Sequence, residues 1–339
     1  MTDDSNSTVL ILGANGRLGA ACIAAFSEAG WRVLAQSRRV PATLPPGARY
    51  LQIELADTDA LSAAAAGATA VIYAINPPYP RWATEALPLA RLGMEAARKL
   101  GATFMLPGNV YNFGERMPPV LREDTHEQPT TEKGRIRCSI ENEMRERVGQ
   151  GMKSVVIRAG DFFGAGTDTW IDLVIAKSLA KGKLVYPGPL DVPHAWAYLP
   201  DLARGFVRVA KRRDLPAFLT LHFAGHTLTG AELLASIERA ARTLGIAPAG
   251  DFKIGTMPWG LIRAGALFVP QWRGIVEMAY LWRRPHALDA TALERLIGTT
   301  VPATDIDQAM RATLLSLGLA ATAASAEESA RAKLFLASK

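Results

Sequence analysis

The sequence predicts an α/β fold: a doubly wound parallel sheet with helices on both faces, carrying a smaller, mostly helical C-terminal lobe. Three observations predict it. Up to about Phe223, short apolar runs bounded by Gly, Pro, Asn or Asp alternate with longer Ala- and Leu-rich stretches, the pattern of strands joined by crossover helices. The first apolar run leads straight into Gly13-Ala14-Asn15-Gly16-Arg17-Leu18-Gly19, which opens an Ala-rich helix. Beyond Arg213 the alternation loosens and helical segments dominate.

Val9 to Leu12 reads as the first strand and the stretch to about Ala29 as its helix. Between them Gly13, Gly16 and Gly19 let the backbone turn tightly and approach a pyrophosphate. With Asn15, Arg17 and Leu18 they form a turn whose helix N-terminus offers free N–H groups and the positive end of a dipole to that anion. A dinucleotide is the expected ligand. Arg32 to Gln36 is a second strand, ending in Ser37-Arg38-Arg39. An acidic residue here would grip a ribose 2′-OH, whereas Arg accommodates a 2′-phosphate, so NADP(H) is expected over NAD(H). Arg17 is a further candidate for that phosphate. The alternative for Arg38 and Arg39 is a pair of solvated loop charges.

A Pro-rich turn at 41–47 precedes a third strand, Tyr50 to Leu55, and a short Ala-rich helix after Asp57. Thr69 to Ile75 is a fourth strand, stopped by Asn76-Pro77-Pro78 because Pro cannot donate to a ladder. A long helix spans about Trp82 to Leu100, and Ala102 to Leu106 is the fifth strand. Ser154 to Arg158 is the sixth, Phe218 to Phe223 another, and Gly230 to about Leu244 a helix. From Met257 to Met278 the chain is apolar and helical, with Trp259, Arg263, Phe268, Trp272 and Arg273 interleaved. It reads as a core helix pair, a lid over an apolar substrate pocket, or a partner surface. The tail from Ala320 is a last helix or frays.

The 339 residues, 49% of them hydrophobic, suffice for one large or two smaller cores. The polar start is no secretory signal, and the most apolar late segment is too short and too charged to span a bilayer. Cys22 and Cys138 suggest neither a disulfide framework nor a zinc site, and a reducing cytoplasm is the default. No metal is expected. The net charge of +6 comes from scattered basic residues without a nucleic-acid reader motif. The expected partner is a small molecule, and the expected state a monomer or homodimer.

The glycine spacing resembles that of the short-chain dehydrogenase/reductase superfamily, in its extended and atypical branches, and the resemblance covers about residues 8–210. It implies a Rossmann-type domain over 1–160, with later strands returning to it near 191–225. Residues 161–339 then form mainly a substrate lobe. Tyr50 to Asp57 resembles the Asp-Leu-x-Asp segment beside the adenine, with Glu54 where Asp is usual and Leu55 as the packing residue. Ala74, Ile75, Asn76, Pro107 and Phe162 are implied to line the cofactor. Pro107 to Gly114 resembles the Ser-rich-Val-Tyr-Gly segment, but Pro107 and Gly108 replace its hydroxyl. Glu123-Asp124-Thr125, Ile157 to Gly164 and Asp191 to Ala203 resemble epimerase segments. Asp201 is expected as a helix N-cap, and His194 as a structural or a pocket-lining residue.

The usual Tyr-x-x-x-Lys pair is replaced by Lys133 and Arg137. Lys133 to Glu141 resembles the isoflavone-reductase-like and NmrA-like branch, in which a Lys is the general acid/base. Lys133 is therefore the expected proton-handling residue and also a cofactor contact, with Tyr111 the rival donor. A solvated basic helix end is the alternative. The expected function is NADPH-dependent reduction of an apolar carbonyl or conjugated small molecule. A sugar-nucleotide epimerase or dehydratase and a non-catalytic NADP(H)-sensing NmrA-like regulator are the alternatives.

Overall fold

The computed structural model describes residues 7–41, 43–246 and 250–319; the expectation for the tail from Ala320 lies outside them. The chain begins with β1 (Thr8–Leu12), α1 (Arg17–Glu28), β2 (Arg32–Gln36), β3 (Arg49–Leu51), α2 (Thr58–Ala64), β4 (Ala68–Tyr73), α3 (Trp82–Leu100) and β5 (Thr103–Gly108). It continues with β6 (Val120–Leu121), α4 (Glu132–Glu146), β7 (Lys153–Arg158), β8 (Asp161–Phe163), β9 (Lys183–Tyr186), β10 (His194–Tyr198), α5 (Leu199–Ala210) and β11 (Phe218–His222). The remainder is β12 (His226–Leu228), α6 (Gly230–Thr243), β13 (Lys253–Thr256), α7 (Trp259–Gly265), α8 (Pro270–Glu277), β14 (Ala287–Leu288), α9 (Thr291–Ile297) and α10 (Ile306–Ser316).

Seven strands form one sheet in the order β11-β7-β5-β4-β1-β2-β3, with every pairing parallel. The order reverses between β1 and β4, where a crevice opens at the strand ends. Alternate side chains serve opposite faces. Val9 and Ile11 of β1 join Cys22, Phe26, Leu202 and Phe206 of α1 and α5. Leu10 and Leu12 join Leu61, Ala90, Met94 and Ile140 of α2, α3 and α4. Both faces are thus buried, as an all-parallel sheet requires.

Several boundaries differ from the sequence expectation, each for a ladder reason. β3 ends at Leu51, not Leu55, because its only neighbour β2 ends at Gln36, the partner of Leu51. Gln36 Nε2 then donates to Ile53 O at 2.7 Å and holds the chain that follows. β4 stops at Tyr73, where β1 ends. β5 runs on through Pro107 to Gly108: β4 pairs it only as far as Ile72↔Met105, while β7 accompanies it to Gly108↔Arg158. Pro107 therefore loses no ladder bond on the side that β4 has vacated.

Of the strands near 191–225, β11 joins the main sheet, while β10 pairs with β8 and β12 in a second, three-stranded sheet. Around that sheet Phe163, Trp196, Leu233, Ile237, Trp282, Met310 and Leu314 form a separate core. Asp201 is not an N-cap. α5 starts at Leu199 with Pro200 in its first turn, Tyr198 holds the cap position, and no side chain caps it. Asp201 is instead buried in the first turn. It accepts from Thr304 N at 2.7 Å and Thr304 Oγ1 at 2.8 Å and pairs with Arg204. The apolar segment 257–278 is two short helices, because Pro270 restarts the helix. No helix among the described residues is long and apolar enough to cross a membrane.

Candidate active site

The glycine turn lies at the mouth of the crevice. Gly13 N and Ala14 N donate to Gln36 O at 3.0 and 2.9 Å, and Gly13 sits at φ 85°, which a Cβ would strain. A Cβ on Gly13 would stand 2.9 Å from Ile75 Cγ1 and 3.0 Å from the Ala74 carbonyl, and one on Gly19 would collide with Gly13 O. The first bond of the helix runs from Ala20 N to Gly16 O at 2.8 Å. The N–H groups of Arg17, Leu18 and Gly19 therefore have no helical acceptor. Gly16, at the N-cap, offers no side-chain cap either. The turn thus has the shape and polarity that a pyrophosphate needs.

Arg17 links the turn to the substrate lobe. Its Nη1 donates to Asp168 O at 2.6 Å, tying the turn to a lobe loop in which Ala165 and Asp168 carry positive φ. Asn15 Nδ2 and Ser37 Oγ both donate to Arg39 O, at 2.6 Å each, and fix the 37–39 loop. The side chains of Arg38 and Arg39 are exposed. Leu55 is buried, Ala74, Ile75, Pro107 and Phe162 are half-buried, and Asn76 is exposed.

The second half of the site is assembled at the start of α4. Thr131 caps this helix by accepting from Gly134 N at 3.1 Å. Gly134 is required there, since a Cβ would stand 2.5 Å from Tyr111 O. Lys133 is no solvated helix end: it is buried. Its Nζ pairs with Glu277 at the end of α8, and its backbone N donates to Glu277 Oε1 at 3.0 Å. One carboxylate thus satisfies both the ammonium and an orphan N–H of α4.

Lys133 Nζ also lies 4.9 Å from the centre of the Tyr79 ring, and Arg137 Cζ 4.8 Å from that of Trp82. The hydroxyls of Tyr79 and Tyr111 are 2.9 Å apart. Burial pushes the Tyr79 hydroxyl up to about 12 and that of Tyr111 well above its ordinary range. Both are therefore neutral donors at physiological pH. Arg137 Nη1 donates to Pro107 O at 3.3 Å, and burial lowers its guanidinium from its usual range. The structure thus brings Lys133, Tyr111, Tyr79 and Glu277 together, covered by α8. A Cβ on Gly274 would stand 3.2 Å from Lys133 Nζ.

The aromatic residues of the 257–278 segment are largely held in place or exposed. The Trp259 indole is tied down to Pro187 O at 2.6 Å, Trp272 packs against Gly265, and Phe268 is 85% exposed. The segment borders a cleft of about 500 Å³ lined by Arg263, Arg283, Arg284, Tyr280, Glu115 and Glu277. His194 is buried and structural. Its Nε2 meets Asp161 Oδ2 at 2.9 Å, and its ring stacks on Trp282 at 4.5 Å.

Sequence reasoning missed Tyr79, Glu277 and the arginine cleft. Tyr79 follows the Asn76-Pro77-Pro78 stop and carries no periodic signal. Glu277 is 144 positions from Lys133, and no local pattern reports a pairing of that range.

No curated protein matches this chain. Solved structures with similar folds include the UDP-glucose 4-epimerase of Thermotoga maritima, determined with UDP-glucose, at 14% identity and TM-score 0.69, covering 91% of this chain and 98% of that one. The UDP-glucuronic acid 4-epimerase of Bacillus cereus, determined with UDP-glucuronic acid and NAD, has the same identity, TM-score and coverage. The NAD-dependent NDP-hexosamine 5,6-dehydratase TunA is 17% identical at TM-score 0.67, covering 91% of this chain and 97% of that one. At these identities the likeness is one of fold. Sequence and fold agree: residues 9–217 match the model of the NAD dependent epimerase/dehydratase family, and the chain belongs to that family.

Proposed function

We propose that this chain is a nicotinamide-dinucleotide-dependent enzyme that acts on a nucleotide-linked sugar, the reading kept second at the sequence level. The observation that carries it is the cleft beside Glu277. Arg263, Arg283 and Arg284 line it, and none of the three has an ion-pair partner among the described residues. An array of free guanidinium groups is suited to a diphosphate. Family membership and the nucleotide-sugar ligands of the similar structures favour the same class.

In this reading Gly13, Gly16 and Gly19 admit the pyrophosphate against the N-terminus of α1. Asn15 and Ser37 fix the loop that presents Arg38 and Arg39 to the adenosine ribose. No carboxylate stands at that position, which supports NADP(H) over NAD(H) for this chain, although the similar structures were determined with NAD. Ala74, Ile75, Asn76, Pro107 and Phe162 line the crevice, and Leu55 packs beneath the adenine. When bound, the nicotinamide supplies or accepts the hydride. Lys133 hydrogen-bonds the substrate oxygen and takes up the proton that the substrate hydroxyl releases as it passes one of its own to Glu277, the carboxylate paired with its Nζ. The neutral Tyr111–Tyr79 pair donates a hydrogen bond to the same oxygen.

A second reading, NADPH-dependent reduction of an apolar carbonyl, is favoured by Lys133 standing where the family Tyr is usual. Thermal-shift titration with NAD(H), NADP(H), UDP-sugars and GDP-sugars tests the choice, because ligands of the native state raise its apparent stability. Saturable stabilisation by a nucleotide sugar in the presence of the dinucleotide supports the first reading. Stabilisation by dinucleotide alone, with turnover of an enone or aromatic aldehyde, supports the second. Dinucleotide binding without any turnover would leave the sensor.

A further inference from the structure

We propose that the α7–α8 segment docks this protein on an anionic phospholipid surface. Helical winding does not stop at Gly265: Ala266 N, Leu267 N, Phe268 N and Val269 N bond back to Ile262 O, Ala264 O and, for the last two, Gly265 O, at 2.9–3.4 Å. Over such a turn of chain, residues seven apart share a stripe. Leu261 and Phe268 therefore lie on one face, with Ala264 between them and Leu267 beside them. The opposite face is spent inward, with Ile262 and Ala266 each 8% exposed. The outer face is apolar and bare: Leu261 is 66%, Leu267 70% and Phe268 85% exposed. Large apolar side chains presented together at a tip mark an interaction site rather than an ordinary surface.

Charge selects the occupant. Between Asp251 and Glu277 the chain has Lys253, Arg263 and Arg273 and no carboxylate. Arg273 clamps the end of the winding by donating to Ala266 O at 2.8 Å and Leu267 O at 2.9 Å, which places its guanidinium beside Leu267 and Phe268. A second copy would bring like charge against like. An anionic headgroup layer neutralises the arginines, and Leu and Phe enter the acyl boundary, as interfacial helices do. The same segment covers Lys133 through Gly274, so docking would orient the site toward the bilayer. Arg263 also lines the cleft of the proposed function, whereas Leu267 and Phe268 do not, so the double variant below tests docking separately from substrate binding.

The test is co-sedimentation of the full chain with phosphatidylcholine vesicles, with and without phosphatidylglycerol. Binding is expected only to the anionic vesicles, and it should weaken with salt. Arg263→Gln should weaken it about fivefold, the effect of one basic residue near such a surface. The Leu267→Asp/Phe268→Asp variant should abolish it while keeping the melting temperature and the dinucleotide-induced thermal shift, since neither side chain is buried. No binding to anionic vesicles overturns the proposal, as does equal binding by the double variant. A concentration-dependent dimer that the double variant dissolves, without vesicle binding, would assign the face to a second copy instead.

Discussion

The Lys133–Glu277 pair makes an asymmetric prediction about stability. The Lys133 side chain is 5% exposed and that of Glu277 22%. Glu277→Gln removes the negative partner of a nearly buried ammonium. Breaking a buried pair from one side costs about 3–5 kcal/mol. The Gln carbonyl retains one acceptor, so the lower end, about 3 kcal/mol, is expected. Lys133→Met removes the other partner, yet leaves a carboxylate that reaches solvent and still accepts from Lys133 N, a bond of 3.0 Å that the substitution preserves. About 1–2 kcal/mol is expected there, the range for a polar group left partly unpaired. Urea unfolding gives both values, with unchanged slopes confirming that the same surface is exposed. Equal costs, or a larger cost for Lys133→Met, would refute the argument that unequal access to water sets the energetics of the pair.

Other outcomes follow from named contacts. Gly19→Ala drives a Cβ into Gly13 O; a loss of about 1–3 kcal/mol and of dinucleotide binding is expected in calorimetry, and wild-type affinity would contradict the close-approach argument. His222 is buried and held down to about 4, by burial first and by Arg158 second. Its folded value lies below its unfolded value near 6.5, so the unfolded chain binds the extra proton and stability falls as pH drops from about 6.5 to about 4, by at most about 3 kcal/mol. His222→Asn, which can still donate to Leu121 O, should flatten that limb of the stability profile, and an unchanged limb would remove His222 as its source. Arg38→Ala should weaken NADPH by about 1.5–3 kcal/mol, the loss of a charged hydrogen bond, and leave NADH nearly unchanged; equal affinities of the parent protein for the two cofactors would end the 2′-phosphate assignment.

The sheet was legible in the sequence because it is buried on both faces, so β1, β2, β5 and β7 read as unbroken apolar runs. Helix α3 was legible to both its ends, since it follows a Pro-rich stop and closes on Gly101 in the left-handed conformation. Strand ends were less legible. The limits of β3 and β4 are set by how far β2 and β1 extend, not by their own residues. Of the candidate site, the glycine turn could be read because its neighbours in sequence are also its neighbours in space, whereas Lys133 was reached only through the resemblance of its helix to a family pattern. Glu277 and Arg263 belong to a segment whose apolar residues dominate its pattern, and Arg283 and Arg284 follow it. The segment's apolar residues pack inward or face solvent, while Arg263 and Glu277 border the cleft. Asp201 misled because a carboxylate at a helix start reads as a cap, whereas the helix had already begun at Leu199 and left the carboxylate free to hold Thr304.

Hydride transfer at a nucleotide-linked sugar, with Lys133 handling the proton, is tested most directly by single-turnover kinetics. The purified protein, loaded with NADP or NAD, is mixed with a panel of UDP- and GDP-sugars, and the nicotinamide absorbance is followed in parent and Lys133→Met chains. Reduction of the bound nicotinamide by at least one nucleotide sugar is expected. Lys133→Met should slow that step by about 10²–10⁴-fold, the usual contribution of a positioned acid or base, with dinucleotide affinity unchanged. A silent panel, with turnover of an enone or aromatic aldehyde instead, would contradict the substrate class; a full rate in Lys133→Met with a large loss in Tyr111→Phe would contradict the role of Lys133.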